Sequence, residues 1–451
     1  MKHALHVFAC LSALSLLVLR SVTAAQPHNV LFIVIDDLRD NVGCYGDPLA
    51  RTPHIDQLAG RGLRFDRAYC QYPLCNASRS SVLTGLRPDT IRVYGNGDRW
   101  RDSVPDAVTL PRLFRSNGYF TARVGKVFHD GAANTDPNAW DVSLNPQNGP
   151  DAEKGEGRSM SSLPWCRWVA SEGADEEHRD VLTATESIRL LEQHHGQPFF
   201  LAVGLRRPHD PFVAPKRYFD LYPFEKMTPH VDPPERSPDV PHALAAPDRF
   251  ASFTDRERRE FLRSYYACTS FMDAELGRVL DTLDRLDLWD STIVIFFSDH
   301  GYHLGEREWW NKNTVFELSA RAPMLVWSPG MKANGRATSR LVEFVDIYPT
   351  VAELAGIPVP AGLEGRSFHT LLDDPNGAAK QAAYTQVRHG EIMGRSVRTE
   401  RWRYTEWDGG RAGRELYDHN TDPGEWQNLA ADPSHAETIA ELSRMVAVER
   451  P

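Results

Sequence analysis

The sequence predicts an α/β fold with a mostly parallel sheet and helices on both of its faces. Continuous apolar runs rich in β-branched residues are typical of strands buried on both sides. Amphipathic segments with helical spacing separate these runs, and the alternation continues from residue 29 to residue 355. Charged residues follow the runs directly, as they do at the carboxyl ends of strands in open α/β sheets. The clearest runs are residues 29–35, 198–204 and 291–297.

The remaining elements follow from the spacing of apolar residues and from stop signals such as Gly118 and Gly356. A capping box at Thr254 and Glu257 opens a long helix that extends to about residue 283. Residues 130–176 and 213–250 are rich in Pro, Gly or Asn and are expected to be irregular. Further helices are predicted at residues 53–61, 108–116, 179–194 and 346–355, and further strands at residues 63–68, 119–124 and 321–327.

The composition is that of a globular protein, with 41% hydrophobic and 25% charged residues among 451. This length is sufficient for one large domain and a small one. The net charge of -10 argues against nucleic acid as a partner. It does not exclude an anionic substrate, because a local positive site can bind an anion on an acidic protein.

The first 25 residues are predicted to be a secretory signal peptide. A basic start at Lys2 precedes an apolar run over residues 4–19, and small residues at 23–25 would allow cleavage. The run is too short to favour a membrane-spanning helix, and no second one follows. We therefore expect an exported protein, in a periplasmic, secreted or lysosome-like compartment, without a membrane span. A lipoprotein anchored at Cys10 is the alternative.

Two domains are predicted after the signal peptide. Residues 26–374 are expected to form the catalytic domain, because the candidate site residues lie almost entirely within it. From residue 375 the pattern changes to short alternating stretches, such as residues 396–405 and 415–418, which favour a small antiparallel sheet. A final helix is expected near residues 436–446.

The stretch from residue 73 to residue 89, PLCNASRSSVLTGLRPD, is the strongest candidate for chemistry. Cys75 precedes a helical run, and a thiol there lies at the positive end of the helix dipole. Arg79, one turn further along, can reach back to hold an anion. The alternative is a structural cysteine buried at a loop-to-helix junction.

The number of cysteines after the predicted signal peptide is odd, and an odd number in an exported protein requires an explanation. If Cys75 is consumed in catalysis, four cysteines remain, which form two disulfides or none. The cysteines that follow the predicted signal peptide are Cys44, Cys70, Cys75, Cys166 and Cys268.

Acidic residues end two of the predicted strands, at Asp36-Asp37 and at Asp299, which His300 follows. Adjacent carboxylates repel each other unless a cation neutralises them, and carboxylate oxygens favour Ca²⁺ or Mg²⁺. A turn or helix cap is the alternative for a single such pair. Because the carboxyl ends of parallel strands meet at one edge, we expect these residues to converge there.

Basic residues at further strand ends belong to the same predicted edge. Lys126 and His129 follow one strand and are suited to contact an anion and to move a proton. His209 lies between two prolines after another strand, on a stiff backbone suited to a positioned acid. Surface or structural roles are the alternatives for each residue alone.

The sequence around Cys75 resembles the sulfatase family signature C-x-P-S-R-x-x-x-L-T-G, with Ala77 where proline is usual. The resemblance covers nearly the whole mature chain and is nearest to the iduronate-2-sulfatase group of that family. That group shares His300, where most sulfatases have asparagine. Motifs that carry the resemblance are IDDLR at Ile35, GCYGD at Gly43, GKVFH at Gly125, RPHDPF at Arg207 and SDHG at Ser298.

The resemblance implies an alkaline-phosphatase-like fold, one Ca²⁺ ion and hydrolysis of a sulfuric ester on a sulfated carbohydrate. It also implies that a formylglycine-generating maturase converts Cys75 to formylglycine, whose hydrated aldehyde attacks sulfur. His209 would protonate the leaving sugar oxygen, and His129 would help to release the sulfate. The implied metal ligands are Asp36, Asp37, Cys75, Asp299 and His300. The implied catalytic residues are Cys75, Arg79, Lys126, His129, His209 and Lys312.

Two residues bear on substrate specificity. Arg39 matches an arginine that lies near the substrate carboxylate in the iduronate group, whereas Glu391 stands where the human member has lysine. A carboxylate in that place would repel a uronate, so another 2-O-sulfated sugar is also compatible. Two other classes stay open: a phosphodiesterase or phosphonate monoester hydrolase of the same superfamily, and a non-catalytic glycan-binding relative.

Overall fold

The computed structural model describes residues 27–131, 135–160, 163 and 165–448. The predicted signal peptide and Cys10 lie outside these residues, so export stays a prediction. Within the described ranges, no helix is both long and apolar enough to cross a membrane.

α-Helices alternate with strands along the chain, as the sequence predicts. The long helix α8 begins with the predicted capping box, in which Thr254 Oγ1 accepts the Glu257 N–H and Glu257 accepts the Thr254 N–H. The helices are α1 (Pro53–Arg61), α2 (Cys75–Thr84), α3 (Pro88–Ile91), α4 (Trp100–Ser103), α5 (Leu110–Ser116), α6 (Arg179–His194), α7 (Lys216–Phe219), α8 (Asp255–Arg285), α9 (Glu317–Ala320), α10 (Ile347–Leu354) and α11 (Ala436–Val448).

The strands form one large sheet and smaller sheets around it. They are β1 (Asn29–Asp36), β2 (Leu63–Phe65), β3 (Ala68–Tyr69), β4 (Phe120–Gly125), β5 (Val142–Leu144), β6 (Gly155–Ser159), β7 (Arg167–Ser171), β8 (Phe199–Pro208), β9 (Phe212–Pro215), β10 (Thr292–Ser298), β11 (Met324–Trp327), β12 (Arg336–Thr338), β13 (Val342–Glu343), β14 (Ala382–His389), β15 (Ile392–Thr399), β16 (Trp402–Trp407) and β17 (Gly413–Asp418).

The central sheet has the strand order β12-β2-β11-β10-β1-β8-β4-β5. From β10 to β5 all neighbours are parallel, whereas β11 runs antiparallel to both β10 and β2. The predicted mostly parallel sheet is therefore confirmed. Its parallel part places the ends of β1, β4, β8 and β10 at the same edge. Asp36 and Asp299 lie at the ends of β1 and β10, and Lys126 and His209 follow β4 and β8.

Both faces of the sheet are covered, which explains why its strands are continuously apolar. Alternate residues of β1 enter two different cores: Val30 and Phe32 face one core, and Leu31 and Ile33 face the other. The first core includes residues of α2, α5 and α10, and the second includes residues of α1, α6 and α8. The predicted helices on both faces are therefore present.

The C-terminal part forms the predicted small antiparallel sheet, a meander of β14 to β17. Helix α11 packs on it through Leu442 and Val446, which share a buried cluster with Val397, Tyr404 and Leu416. The domain boundary at residue 375 stays a prediction.

Two local expectations differ from the structure, and an open question about the cysteines is answered. Residues 130–176 contain β5, β6 and β7, and β6, β7 and β9 form a three-stranded sheet where irregular chain is expected. The predicted strand at 63–68 is two short strands in different sheets, because a turn at Asp66 and Arg67 separates β2 from β3. The five cysteines within the described residues are free thiols. Of the two alternatives, two disulfides or none, the structure therefore has none among these residues.

Candidate active site

The two acidic motifs meet at the carboxyl ends of β1 and β10. Asp36 ends β1, and Asp37 follows it in the left-handed backbone region, with φ of 64°. Asp tolerates this region better than most residues. The turn is held by Tyr265, whose hydroxyl donates to the Asp37 carbonyl at 2.8 Å, and by the Asp37 N–H, which donates to Asp299 Oδ1 at 3.2 Å. The three aspartates are therefore fixed in one buried centre.

Cys75 is the first residue of α2, a helix that is buried along its whole length. Small residues allow this burial, and several of their hydroxyls have partners within the chain. Ser78 Oγ, for example, donates to the Asp299 carbonyl at 2.5 Å. The Cys75 sulfur lies 3.5 Å from His300 Nε2 and accepts a hydrogen bond of 3.2 Å from Lys312 Nζ. The helix start thus faces the acidic centre.

Arg79, one helical turn after Cys75, connects the two acidic strand ends. Its Nε donates to Asp299 Oδ2 at 2.7 Å and its Nη2 donates to Asp36 Oδ1 at 3.1 Å. Its Nη1 donates to the backbone carbonyls of Lys126 and Val127. These contacts use the fork geometry of the guanidinium, which a lysine lacks.

Lys126 enters the centre because the chain turns sharply after β4. Gly125 has φ of 78°, and a Cβ there would lie 2.2 Å from the Gly204 carbonyl oxygen, so only glycine fits. Lys126 Nζ donates to Asp36 Oδ2 at 2.5 Å, and Lys312 Nζ donates to Asp37 Oδ1.

Two histidines present a free ring nitrogen to this centre. His300 Nδ1 donates to the Gly301 carbonyl at 2.9 Å, and His209 Nδ1 donates to the Asp210 carbonyl at 2.5 Å. Because a carbonyl only accepts, Nδ1 carries the proton in each neutral ring and Nε2 has the lone pair. His209 Nε2 lies 4.0 Å from Asp36 Oδ2 and 3.9 Å from Asp37 Oδ2.

Burial and charge shift the two neighbouring aspartates in opposite directions. Burial alone would raise the pKa of Asp36, but Lys126, His209 and Arg79 hold it well below the ordinary value. Burial raises the pKa of Asp37, and the attraction of Lys312 does not fully offset this. Burial alone would lower the pKa of Lys312, but Asp37 and the other negative groups of the centre together hold it well above its usual range.

The unmodified thiol and His129 are both neutral in this environment. Burial, followed by the charge of Asp36, raises the pKa of Cys75 above its usual range. Burial and Lys126 lower the pKa of His129 to about 4. His129 lies at the edge of the centre, and its Nδ1 is buried without a hydrogen-bond partner among the described residues.

The donor atoms fit a divalent cation. Ligand atoms of Asp36, Asp37, Cys75 and His209 lie within 4.8 Å of one another, and so do those of Cys75, Asp299 and His300. Asp37 Oδ2 is buried and has no hydrogen-bond partner within the described chain, which is costly for a carboxylate oxygen unless a cation compensates it. Three carboxylates favour a hard ion such as Ca²⁺ or Mg²⁺.

Most predicted site residues converge, and within the described chain the two specificity candidates make no hydrogen bond or ion pair with them. Arg39 is 13% exposed and its Nη1 donates to Glu306 Oε1 at 2.7 Å. Glu391 is exposed in the turn between β14 and β15. The residues that the structure brings together are Asp36, Asp37, Cys75, Arg79, Lys126, His209, Asp299, His300 and Lys312.

Two residues of the site are absent from the sequence-based prediction. Tyr265 belongs to the apolar stripe of α8 and looks like a core residue, yet its hydroxyl holds the Asp37 turn. Asp210 lies inside the RPHDPF motif, where its position beside His209 is the available signal. Burial and the charge of Asp37 raise the pKa of the Asp210 carboxyl to about 6.

Comparison with known proteins identifies the family. A family model described as Sulfatase matches residues 28–357. The chain belongs to the sulfatase family. It is accordingly an enzyme that hydrolyses sulfate esters, and the resemblance drawn from the motifs is confirmed. A second model, described as N-sulphoglucosamine sulphohydrolase, C-terminal, matches residues 305–450 of this sulfatase.

Individual relatives agree with this assignment. The sulfatase is 34% identical to iduronate 2-sulfatase of Homo sapiens, over 84% of this chain and 85% of that protein. A solved protein in complex with its substrate D-glucosamine-2-N,6-O-disulfate has a TM-score of 0.76 at 21% identity, over 94% of this chain and 97% of that one. Phosphonate monoester hydrolase of Agrobacterium radiobacter has a TM-score of 0.77 at 22% identity, over 93% and 95%. The structural likenesses establish the shared alkaline-phosphatase-like fold.

Proposed function

We propose that this sulfatase removes sulfate from a sulfated sugar by means of a formylglycine formed from Cys75 and one Ca²⁺ ion. The observation that carries the proposal is the convergence of Cys75 with three carboxylates and three cations in one buried centre. Each of these groups has a use in sulfate transfer, and their burial makes every electrostatic interaction stronger than it is in water.

Asp36, Asp37, Asp299 and His300 would hold the Ca²⁺, together with the modified Cys75. When bound, the ion supplies positive charge that offsets the charge on the sulfate oxygens. The three aspartates are the stronger ligands on grounds of hardness, and His300 ranks below them. Its free Nε2, 3.5 Å from both Asp37 Oδ1 and Asp299 Oδ1, is nevertheless oriented toward the same donors.

Cys75 itself is unsuited to attack, which supports its modification. The raised pKa keeps the thiol protonated at neutral pH, and a thiol is a far weaker nucleophile than a thiolate. Conversion by a formylglycine-generating maturase would supply the hydroxyl of a hydrated aldehyde as the nucleophile.

Arg79, Lys126 and Lys312 would bind the sulfate oxygens. All three are buried around Cys75 and are already oriented by the carboxylates, so little reorganisation is needed when charge develops in the transition state. Lys312 is the best placed, because its ammonium donates to both Cys75 and Asp37.

His209 and His129 would transfer protons. Burial holds the pKa of His209 well below its usual value, although Asp36 pulls it up. The negative charge of a bound sulfate would add to the effect of Asp36 and raise the pKa of His209. Nε2 could then take a proton and deliver it to the leaving sugar oxygen. His129, neutral above about pH 4, would act as the base that accompanies release of the sulfate.

A 2-O-sulfated sugar is the proposed substrate. The relative named iduronate 2-sulfatase and the neighbour solved with a sulfated glucosamine both support a sugar. Arg39 would attract a substrate carboxylate, but its pairing with Glu306 reduces that attraction. Glu391 would repel a carboxylate. We therefore propose weak discrimination between uronate and neutral sugars.

The test combines mass analysis with kinetics. The tryptic peptide that carries Cys75 should contain formylglycine in active protein, and rates on 4-nitrophenyl sulfate should exceed those on 4-nitrophenyl phosphate and on a phosphonate monoester. The high TM-score to a phosphonate monoester hydrolase makes that enzyme class the second candidate. An active protein with unmodified Cys75, or a preference for the phosphonate, would reject the proposal.

A further inference from the structure

The segment that carries Lys312 is fixed at the next residue, Asn313. Asn313 lies in the left-handed backbone region, with φ of 68°, which asparagine tolerates better than most residues. Its N–H donates to the carbonyl of Pro73, two residues before Cys75, at 3.1 Å. Its own carbonyl accepts a hydrogen bond of 2.9 Å from the ring of His389. Both backbone polar groups of Asn313 are therefore used, and the direction in which the Lys312 side chain leaves the backbone depends on them.

His389, at the end of β14, connects three parts of the chain. Its Nε2 lies 2.9 Å from the carbonyl oxygen of Asn313, and its Nδ1 lies 2.8 Å from the carbonyl oxygen of His242, in the irregular stretch before α8. The imidazole also stacks on the indole of Trp407 in β16, with the ring centroids 5.5 Å apart and an interplanar angle of 28°. The C-terminal sheet, the stretch before α8 and the catalytic segment therefore meet at one ring.

Both ring nitrogens of His389 face acceptors, in contrast to those of His209 and His300. Because a carbonyl oxygen cannot donate, two hydrogen bonds from the ring to carbonyls require two N–H groups, which only the imidazolium has. In the neutral ring, one nitrogen would turn its lone pair toward a carbonyl oxygen. The face of Trp407 also favours the cation. The observed contacts are therefore complete only when His389 is protonated.

The pKa of His389 decides when this happens. Burial lowers the pKa below its ordinary value of 6.5, and the two carbonyls oppose this effect. Among the described residues, His242 is the ionisable neighbour that acts on the ring, and it lowers the pKa further. Both hydrogen bonds are therefore present in acid, and one of them is lost as the pH rises toward neutrality.

The other charged groups around the ring have their own partners or face solvent. Arg388 and Glu391, on the same hairpin, are exposed. On the facing segment, Lys312 pairs with Asp37. Behind Trp407, Glu415 Oε2 accepts the indole N–H at 2.8 Å. The charge of the His389 ring is therefore set by burial, by its two carbonyl partners and by His242.

We propose that His389, as the imidazolium, is a positioning residue that fixes Asn313 and thereby directs the Lys312 ammonium at Cys75 and Asp37. Turnover would then depend on the protonation of a side chain that lies outside the catalytic centre. When the ring loses a proton, one of its two carbonyl partners is released and the catalytic segment is held less firmly. The proposal rests on the proposed function for the role of Lys312, whereas the protonation of the ring does not depend on that function.

The test compares kcat of the parent protein with kcat of His389→Gln on 4-nitrophenyl sulfate, from about pH 5 to about pH 8. A glutamine amide stays neutral and can donate to only one of the two carbonyls. At about pH 5 the parent should be about three- to tenfold faster, less than the full contribution of a charge-assisted hydrogen bond, because Lys312 keeps its ion pair with Asp37. Near pH 8 the two proteins should agree within about twofold. Titration of the catalytic centre itself cancels in the ratio of the two rates.

His389→Arg and His369→Gln are the matched variants. Arginine keeps its charge and several donors at every pH, so relative to the parent its kcat should fall less as the pH rises. His369 also ionises, but it pairs with Glu353 at 2.9 Å, and its loss should leave kcat unchanged at every pH. A purely structural role predicts the same ratio of parent to His389→Gln at every pH. That result, or an arginine variant that loses turnover with pH as the parent does, would overturn the proposal.

Magnetic resonance of protein with isotope-labelled histidine and lysine decides the question without turnover. The His389 signals are identified by their absence from His389→Gln, or from His389→Arg if the glutamine variant does not fold. Two ring N–H groups at about pH 5, and a Lys312 ammonium signal that shifts with the same midpoint as the ring, support the proposal. A ring with one proton at about pH 5, or a Lys312 signal that does not follow the ring, overturns it. A parent that hydrolyses no sulfate ester contradicts the proposed function alone, since these two signals still report on His389.

Discussion

The catalytic centre and a second buried cluster contain the same kinds of residue but differ in how far their oxygens are satisfied. The second cluster, the Glu317 network, joins helix α9 to the C-terminal sheet through Glu317, His419 and Glu425. Potential ligand atoms lie within 4.8 Å of one another in both places. Judged by residue type alone, the catalytic centre and the Glu317 network are both candidate metal sites.

In the Glu317 network the chain itself supplies the cations. Arg403 donates to Glu317 Oε2 and to Glu425 Oε1, both at 2.5 Å. Tyr69 donates to Glu317 Oε1 at 2.9 Å, and the Glu317 N–H donates to Glu425 Oε2 at 2.8 Å. Each of the four carboxylate oxygens thus has a donor, and a metal ion would face the guanidinium of Arg403.

The catalytic centre is incomplete by comparison. Asp37 Oδ2 lacks a donor among the described residues, and two of the three cations are lysines, which bind as flexible point charges. A cluster of acids thus becomes a reactive site when the fold leaves some of its oxygens without hydrogen-bond donors. The predictions below test that contrast.

The largest expected effect is loss of turnover in Cys75→Ala. Removal of a nucleophile generally lowers kcat by about 10³-fold or more. The fold should remain, because alanine fits the start of the buried helix α2. Activity on a sulfate ester and a thermal melt measure both effects. The control is Cys268→Ala, which should retain activity, because Cys268 is also buried but does not belong to the catalytic centre. Full activity in Cys75→Ala would reject covalent catalysis.

Chelation should lower both activity and stability through the catalytic centre alone. Removing an ion present at about 100 times its Kd costs about 2.7 kcal/mol of folding free energy. Melting curves with and without chelator, at fixed ionic strength, measure this. Asp299→Asn should lose most of the response, whereas Glu425→Gln should keep it. If activity returns with Zn²⁺ but with neither Ca²⁺ nor Mg²⁺, the assignment of a hard-ligand site is wrong.

Breaking the Glu317 network should affect stability rather than chemistry. Arg403→Met leaves Glu317 and Glu425 buried without their main partner, and loss of one member of a buried ion pair costs about 3–5 kcal/mol. Denaturant unfolding measures the loss. The value of kcat per folded molecule should stay unchanged, and a large fall in kcat at full folding would contradict a purely structural network.

Acid should destabilise the fold through the Glu317 network more than through the catalytic centre. Against burial, Arg403 and His419 lower the pKa of Glu425 from 4.5 to about 2. A carboxyl with a lowered folded-state pKa stabilises the fold above its unfolded-state pKa, and that stability is lost as pH falls from about 4.5 to about 2. In the centre, Asp36 and Asp37 shift in opposite directions and partly cancel. Unfolding free energies between pH 6 and pH 3, measured with chelator, should depend less on pH in Glu425→Gln, and an unchanged slope would contradict this assignment.

The fold was predictable where burial on both faces makes the pattern unambiguous. Strand β1, NVLFIVID, is buried throughout, so its apolar run has no helical or loop alternative of equal quality. Strand β6, GEGRS, is polar and mostly exposed, and its pairing with β7 comes from the surrounding chain rather than from its own residues. That is why residues 130–176 were expected to be irregular.

Part of the centre was predictable because Asp36, Lys126, His209 and Asp299 lie at the ends of strands that meet at one edge, or just beyond them. Contacts between distant residues were not. Arg39 pairs with Glu306, 267 positions along the chain, and no local pattern announces that pairing. The same holds for Tyr265, whose helical spacing marks it as core while its hydroxyl contacts Asp37. Polar contacts of this kind depend on the assembled fold.

The smallest expected effect concerns Glu391, in the exposed turn of the β14–β15 hairpin. The hairpin tip is attached to the catalytic segment, because the ring of His389 contacts the carbonyl of Asn313, next to Lys312, at 2.9 Å. We therefore expect a charge at the tip to act on the mouth of the site, where solvent screens it. Exposed charge pairs are worth about 0.2–1 kcal/mol, which corresponds to about a 1.4-fold to fivefold change, and reversing a charge replaces a repulsion by an attraction, so the upper part of that range applies.

Glu391→Lys should accordingly raise kcat/KM for a 2-sulfated uronide about twofold to fivefold and leave a neutral 2-sulfated sugar nearly unchanged. Glu400 offers the matched control, since it is equally exposed but lies at the opposite end of β15. Glu400→Lys makes the same change in net charge, so it reports any effect of charge that is independent of position. Equal changes in the two variants, or equal changes on the two substrates, would show that Glu391 does not face the substrate. A selective gain would show that the C-terminal sheet, whose other contacts are structural, also contributes to specificity.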